Sequence, residues 1–200
     1  MGALAPWTKW WGRMDVEGLD ALPRSGPVLL AGNHDSNMDP VAVGVAARHH
    51  RQVRALAKSS LWDVKPLAPI LNGMGQIPIE RGTGDRGALD RAIEALRAGA
   101  CIGVFPEGTR SLGRELRARS GIGHLAAAVP ETRIVLVQIS GTTDFVRFPK
   151  RPRVSVRFGL PTEGDYRLGE DHGAFAARLL EQVRVGVPRT VAGRRPRPVQ

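Results

Sequence analysis

Six short apolar runs, at residues 27–31, 53–57, 76–79, 100–105, 133–139 and 153–158, alternate with helical patterns at 40–50, 65–71, 86–98, 122–128 and 172–186. No other feature narrows the fold so far. A succession of this kind argues for an α/β fold, a single domain whose mostly parallel central sheet is flanked by helices. The third helical stretch is the most explicit: Asp85 can cap it, Leu89, Ile93 and Leu96 share one face, and Gly99 ends it. In such sheets, sites gather where loops leave the carboxyl ends of strands.

The ends of the chain read differently from its middle. Residues 1–20 predict an N-terminal amphipathic segment in which Trp7, Trp10 and Trp11 fall on one face of a short helix beside Lys9 and Arg13. Two placements suit them: the membrane interface, or the domain's own core. Residues 21–187 hold the folded domain. Residues 188–200 carry four arginines and three prolines and read as a disordered basic tail.

Of the 29 Lys and Arg residues, 25 are Arg, and the formal net charge is +10. Arg grips phosphate with two parallel donors, so anionic partners are expected: phospholipid, a phosphorylated substrate, an acidic carrier protein or nucleic acid. Nucleic acid is the least supported, because no binding motif or aromatic platform accompanies the charge. The single cysteine, Cys101, excludes an internal disulfide and a cysteine metal site. No run approaches the roughly eighteen apolar residues of a membrane span, and no secretory signal is visible. The expected location is peripheral, on the anionic cytoplasmic surface of the plasma membrane.

Three loops follow apolar runs and carry chemistry. In the first, Asn33-His34-Asp35-Ser36-Asn37-Met38-Asp39-Pro40, an imidazole precedes a carboxylate by five residues. Imidazole titrates near pH 6.5 and can take a proton from a hydroxyl, with a carboxylate fixing its tautomer. Five residues on one helix do not share a face, so the pair needs a turn followed by a helix start, which Asp39-Pro40 provides. Asp39 has two open roles here, as partner of His34 or merely as helix cap.

In the second loop, Phe105-Pro106-Glu107-Gly108-Thr109-Arg110-Ser111, a turn presents a carboxylate, a hydroxyl and a guanidinium at a strand's end. Arg110 can grip phosphate, Thr109 can donate a hydrogen bond, and Glu107 can hold a substrate hydroxyl or orient Arg110. Between these two lies Ile77-Pro78-Ile79-Glu80-Arg81-Gly82, which delivers a further cation, Arg81. No Gly-x-Ser-x-Gly nucleophile motif is present. A base without a protein nucleophile suits direct attack by a substrate alcohol.

In their order, Asn-His-x-Ser-x-x-Asp, Ile-Pro-Ile-acid-Arg and Phe-Pro-Glu-Gly-Thr-Arg-Ser resemble the successive blocks of the glycerolipid acyltransferases, most of all the 1-acylglycerol-3-phosphate acyltransferase branch. The resemblance implies acyl transfer to the free hydroxyl of a lysophospholipid, giving phosphatidic acid, from acyl-CoA or acyl carrier protein. It implies His34 as general base with Asp39 as partner and no acyl-enzyme. Arg81, Glu107, Gly108, Thr109 and Arg110 would hold the acceptor's phosphate and glycerol. No metal and no cofactor beyond the acyl donor are implied.

The chain departs from the family pattern at Glu80, commonly Asp, and at 120–123, where a Lys often precedes the glycine and Arg119 lies nearby. It departs again at 134–138, where prolines are usual. These departures bear on the acceptor, so a lyso-ornithine lipid or a glycolipid is an alternative. A non-enzymatic basic protein binding membrane or nucleic acid is a more distant one. Lys58 and backbone amides are the candidate oxyanion donors.

Overall fold

The structure is a computed structural model and describes residues 13–80, 85–146 and 152–191. Among them are seven strands: β1 (Arg13–Glu17), β2 (Val28–Gly32), β3 (Val53–Lys58), β4 (Ile77–Ile79), β5 (Cys101–Val104), β6 (Arg133–Ser140) and β7 (Arg153–Gly159). Five α-helices join them: α1 (Asp39–Ala47), α2 (Ala68–Gly73), α3 (Arg86–Arg97), α4 (Gly121–Ala128) and α5 (His172–Arg184). The strands form one sheet in the order β1-β7-β6-β2-β5-β3-β4. Pairing is parallel everywhere except between β6 and β7.

The centre of the sheet is buried on both faces, as the uninterrupted apolar run of β2 requires. Register places Ile102, Leu29 and Ile134 abreast on β5, β2 and β6. All three are fully buried on the face packed by Ile122 and Leu125 of α4 and by Phe175 and Leu179 of α5. Removing a side chain of this size from water contributes about 1.5–3 kcal/mol. On the opposite face, Val28, Leu30, Val135 and Val137 pack with Ala42, Val43 and Ala47 of α1.

Topology explains that division. From β2 the chain crosses through α1 to β3 on one side, whereas from β5 it crosses through α4 to β6 on the other. Crossovers of one hand that travel in opposite directions must lie on opposite faces. The loops after β2 and β5 therefore diverge from adjacent strands, and the gap between them is where an α/β sheet accepts ligands.

The third helix forms as its sequence indicates. Asp85 accepts from the Ala88 amide at 2.9 Å, Leu96 is fully buried, and Gly99 leaves the helix at φ +80°. Cys101 is buried in β5, and that burial pushes its thiol up to about 12.

Both ends need correction. Residues 13–17, assigned to an amphipathic N-terminal segment, form β1, which pairs in parallel with β7. Only Met14 and Val16 alternate there, between Arg13, Asp15 and Glu17, so the pattern is a charged edge strand rather than a helix. Trp7, Trp10 and Trp11 lie outside the described residues. At the other end, residues 188–191, assigned to the disordered tail, include Thr190, whose hydroxyl accepts from Thr143 at 3.4 Å. The rest of that tail lies outside the described residues.

Candidate active site

Asn33, the first residue beyond β2, is fully buried. Its side-chain amide donates to the Ile139 carbonyl and accepts from the Ile139 amide, each at 2.8 Å. These bonds imitate one more rung of the β2–β6 ladder, so the loop that follows starts from a fixed point.

That loop wraps around the carboxylate of Asp39. Oδ2 accepts from His34 Nδ1 at 2.9 Å and from the amides of Asp35 and Ser36 at 2.7 Å each. Oδ1 accepts from the Thr142 hydroxyl, contributed by the turn after β6. Asp39 opens α1 but makes no capping bond to it. Of its two open roles, the cap is therefore wrong and the partnership with His34 is observed. An ionised carboxylate only accepts, so Nδ1 is the donor of this bond, and in the neutral imidazole Nε2 is then the nitrogen with the free lone pair. Phe105 stacks on the imidazole at 4.3 Å with 16° between the rings. His34 is thus held at one edge by a carboxylate and on one face by an aromatic ring, with 5% of its surface exposed.

The second loop divides into an inward and an outward part. Gly108 and Thr109 are exposed and Arg110 is half-buried, whereas Glu107 is 2% exposed. The turn closes through the Gly108 amide on the Phe105 carbonyl, at φ +69° for Gly108. Glu107 is not turned toward an acceptor as expected. Its Oε2 accepts the His34 amide at 2.8 Å, and both its oxygens accept from Arg184 Nη2, at 2.7 and 2.8 Å. A buried carboxylate must be paired, and this one is satisfied from inside the protein. The arginine it orients is Arg184, not Arg110.

Arg184, the last residue of α5, also donates to both oxygens of Asp35 at 2.9 Å each. Its side chain is 6% exposed, and those of Asp35 and Glu107 are 4% and 0%. Burial by itself would lower the Arg184 pKa; the hydrogen bond and charge of Asp35, then of Glu107, reverse that and raise it. The Ser111 hydroxyl also donates to Asp35, and the Ser111 amide donates to the His34 carbonyl at 2.7 Å. The loops after β2 and β5 are therefore one structure.

Motif reasoning missed three residues: Arg184, Thr142 and Arg119. Arg119 lies against the second loop. Its amide donates to the Pro106 carbonyl at 2.7 Å, and a Cβ on Gly108 would sit 3.0 Å from its Cγ. The sequence pattern marks Arg119 only as a neighbour of the position where a Lys is often found. Arg81 lies outside the described residues. Lys58, a candidate oxyanion donor, ends β3 in an exposed position, separated from β2 by β5. Among the described residues, no group of three or more His, Cys, Asp or Glu is arranged to hold a metal.

An apolar crevice opens beside Phe105, under α1. Pro40 and Val43 roof it, Leu30, Val53 and Val137 line it, and Gly32 and Gly103 leave the sheet face beneath without side chains. A Cβ on Gly32 would come within 3.3 Å of the Phe105 ring, so this glycine also makes room for the ring that stacks on His34.

The chain is similar to known proteins of one family. The Acyltransferase family profile matches residues 13–140. A 1-acyl-sn-glycerol-3-phosphate acyltransferase of Borreliella burgdorferi is 31% identical over 132 residues, covering 65% of this chain and 52% of the relative. An uncharacterized protein of Mycobacterium tuberculosis is 30% identical over 167 residues, covering 76% of this chain and 44% of the relative. The chain thus spans about half the length of the curated relatives it matches. The crystal structure of the 1-acyl-sn-glycerophosphate (LPA) acyltransferase of Thermotoga maritima shares the fold, with a TM-score of 0.67 at 22% identity over 90% of this chain and 73% of that one. With the profile covering nearly two-thirds of its length, this chain belongs to the Acyltransferase family.

Proposed function

We propose that the protein transfers a fatty acyl group from the thioester of acyl-CoA or acyl carrier protein to the free hydroxyl of a lysophospholipid, foremost 1-acylglycerol-3-phosphate. The observation that carries this is the His34–Asp39 bond, which leaves Nε2 as a base. The acceptor hydroxyl gives its proton to Nε2 while its oxygen attacks the thioester carbonyl. Collapse of the tetrahedral intermediate breaks the carbon–sulfur bond, and the departing thiolate takes the proton from the imidazolium. No acyl-enzyme is needed: the Ser36 hydroxyl donates to the Thr142 carbonyl at 3.3 Å and the Ser111 hydroxyl to Asp35, so neither serine is set against His34.

Arg110 and Arg119 flank the exposed Gly108–Thr109 turn and supply the cations for an acceptor phosphate; the same role for Arg81 rests on the sequence motif alone. Access to lipid is supported by the connection after β3, where Leu61, Val64 and Ile70 are exposed alongside Lys58 and Lys65. No helix among the described residues is long and apolar enough to cross a membrane, so contact with lipid would be made from the surface.

The test is acyl transfer from radiolabelled acyl-CoA to a panel of lysolipids. Product is expected with 1-acylglycerol-3-phosphate, and none from a folded His34→Ala variant. Full activity in that variant refutes the mechanism. Preference for a lysolipid without phosphate refutes the acceptor while leaving the chemistry intact.

A further inference from the structure

The family profile ends at residue 140, yet one side chain from far beyond it reaches the centre of the site. Arg184 binds Asp35 with two nitrogens and Glu107 with one, and these carboxylates belong to different loops. Asp35 adjoins His34 in sequence, and Glu107 holds the His34 amide. Two buried like charges cannot share one small volume without a cation between them. A guanidinium matches the task, because its planar fork addresses two carboxylates at once where an ammonium addresses one point.

Arg184 is itself held. Gln138 of β6 donates to the carbonyls of Gln182 and Val183 at 3.3 Å and of Val185 at 2.8 Å, which fastens the last turn of α5 to the sheet. A rigid path therefore runs from β6 through the end of α5 and Arg184 to Glu107, and on to the backbone of His34. The path meets His34 at its main-chain amide.

We propose that Arg184 is a positioning residue for the transfer reaction, clamping the His34 loop to the Glu107 turn through their two buried carboxylates. The proposal rests on the reading of His34 as the base. Its contribution is to kcat rather than to binding, since it fixes where the imidazole stands and contacts neither substrate. A displacement of about 1 Å at a catalytic group costs roughly a hundredfold in rate.

The experiment compares steady-state kinetics and thermal unfolding of the full chain with those of R184M, R184K and R184A. R178M serves as control, because Arg178 lies on the same helix and pairs with Glu170 at 2.7 Å away from the site. In R184M, kcat is expected to fall by about a hundredfold while both KM values stay within about threefold. In R184K, which keeps the charge and so the fold, kcat is expected to fall by about tenfold, because an ammonium cannot grip both carboxylates. Added guanidinium is expected to return about tenfold of the kcat lost in R184A, by refilling the vacated position. R178M is expected to unfold at lower temperature with kcat within about twofold of wild type.

Unchanged kcat in folded R184K and R184M overturns the proposal. So does a rise in KM that matches the fall in kcat, or an equal loss of kcat in R178M. A wild-type protein without acyl transfer fails the reading of the site instead, whereas an active one indifferent to Arg184 fails only this inference.

Discussion

Thr142 and Asp39 are 103 positions apart, and the hydroxyl of the first donates to the carboxylate of the second. Together with the imidazole and two backbone amides, that hydroxyl completes a fully buried shell around one aspartate. All four of these groups donate to that one side chain.

Asp39→Asn is therefore the most direct probe of the base. An amide there turns an N–H toward donors and lets Nδ1 lose its acceptor. Acyl transfer should fall by about 10²–10⁴-fold, with about 1–3 kcal/mol lost in denaturant unfolding. Activity within a few-fold of wild type would remove Asp39 from the mechanism.

Gly32→Ala tests the stacking of Phe105 on His34. Its Cβ would meet the ring at 3.3 Å and the Val137 carbonyl at 3.4 Å, tighter than ordinary contact. We expect a stability loss of about 1–3 kcal/mol from overpacking, accompanied by a lower kcat as the ring shifts. A crystal structure of the variant with Phe105 unmoved would refute the second part.

Arg119→Gln and Arg110→Gln address the acceptor clamp. Each should raise KM for the phosphorylated acceptor by about tenfold, corresponding to one charge-assisted hydrogen bond of about 1.5 kcal/mol. The KM for acyl-CoA should stay put in initial-rate measurements. Equal changes for both substrates would mean a general surface effect.

Replacing Leu61, Val64 and Ile70 together by Ser should reduce flotation with anionic liposomes by about tenfold or more, since each apolar side chain contributes up to about 1.5–3 kcal/mol on burial. Turnover of a short-chain, water-soluble acceptor should be unaffected. Undiminished flotation would direct attention to the N-terminal tryptophans.

Glu170 sets a pH dependence of stability. The Arg178 hydrogen bond, outweighing burial, holds its carboxyl below the ordinary value of 4.5. The folded pKa is the lower one, so the added stability is complete above about pH 4.5 and disappears as pH falls through the folded value. Glu170→Gln should accordingly unfold earlier than wild type at pH 7, and the gap should close in strong acid. A gap that persisted there would point to packing rather than charge.

Much of this architecture was legible in the residues because its causes are local. Runs such as 27–31 and 133–139 are apolar wherever a strand is covered on both faces, and Asp85 and Gly99 bracket α3 by bonds that close within a few positions. The His34–Asp39 pair was legible for the same reason, since its geometry is set within one loop. β1 was not, because an edge strand needs few apolar residues and its charges imitate an amphipathic segment. Arg184 left no local trace at all. A cation in the last turn of a helix is explained by the helix dipole alone, and only the fold brings it to Asp35 and Glu107. Glu107 was misjudged by the same logic: a carboxylate on a turn reads as available until the partner 77 positions away is seen.

The paired bonds between Asn33 and Ile139 have a thermodynamic meaning of their own. Freezing a residue's backbone costs roughly 1–2 kcal/mol, and a catalytic loop that ordered only around its substrate would take that cost out of affinity. Here the cost is met when β2 and β6 come together, before any ligand arrives. The imidazole's address is written into the zipping of the sheet, and substrate is left to choose only its own pose.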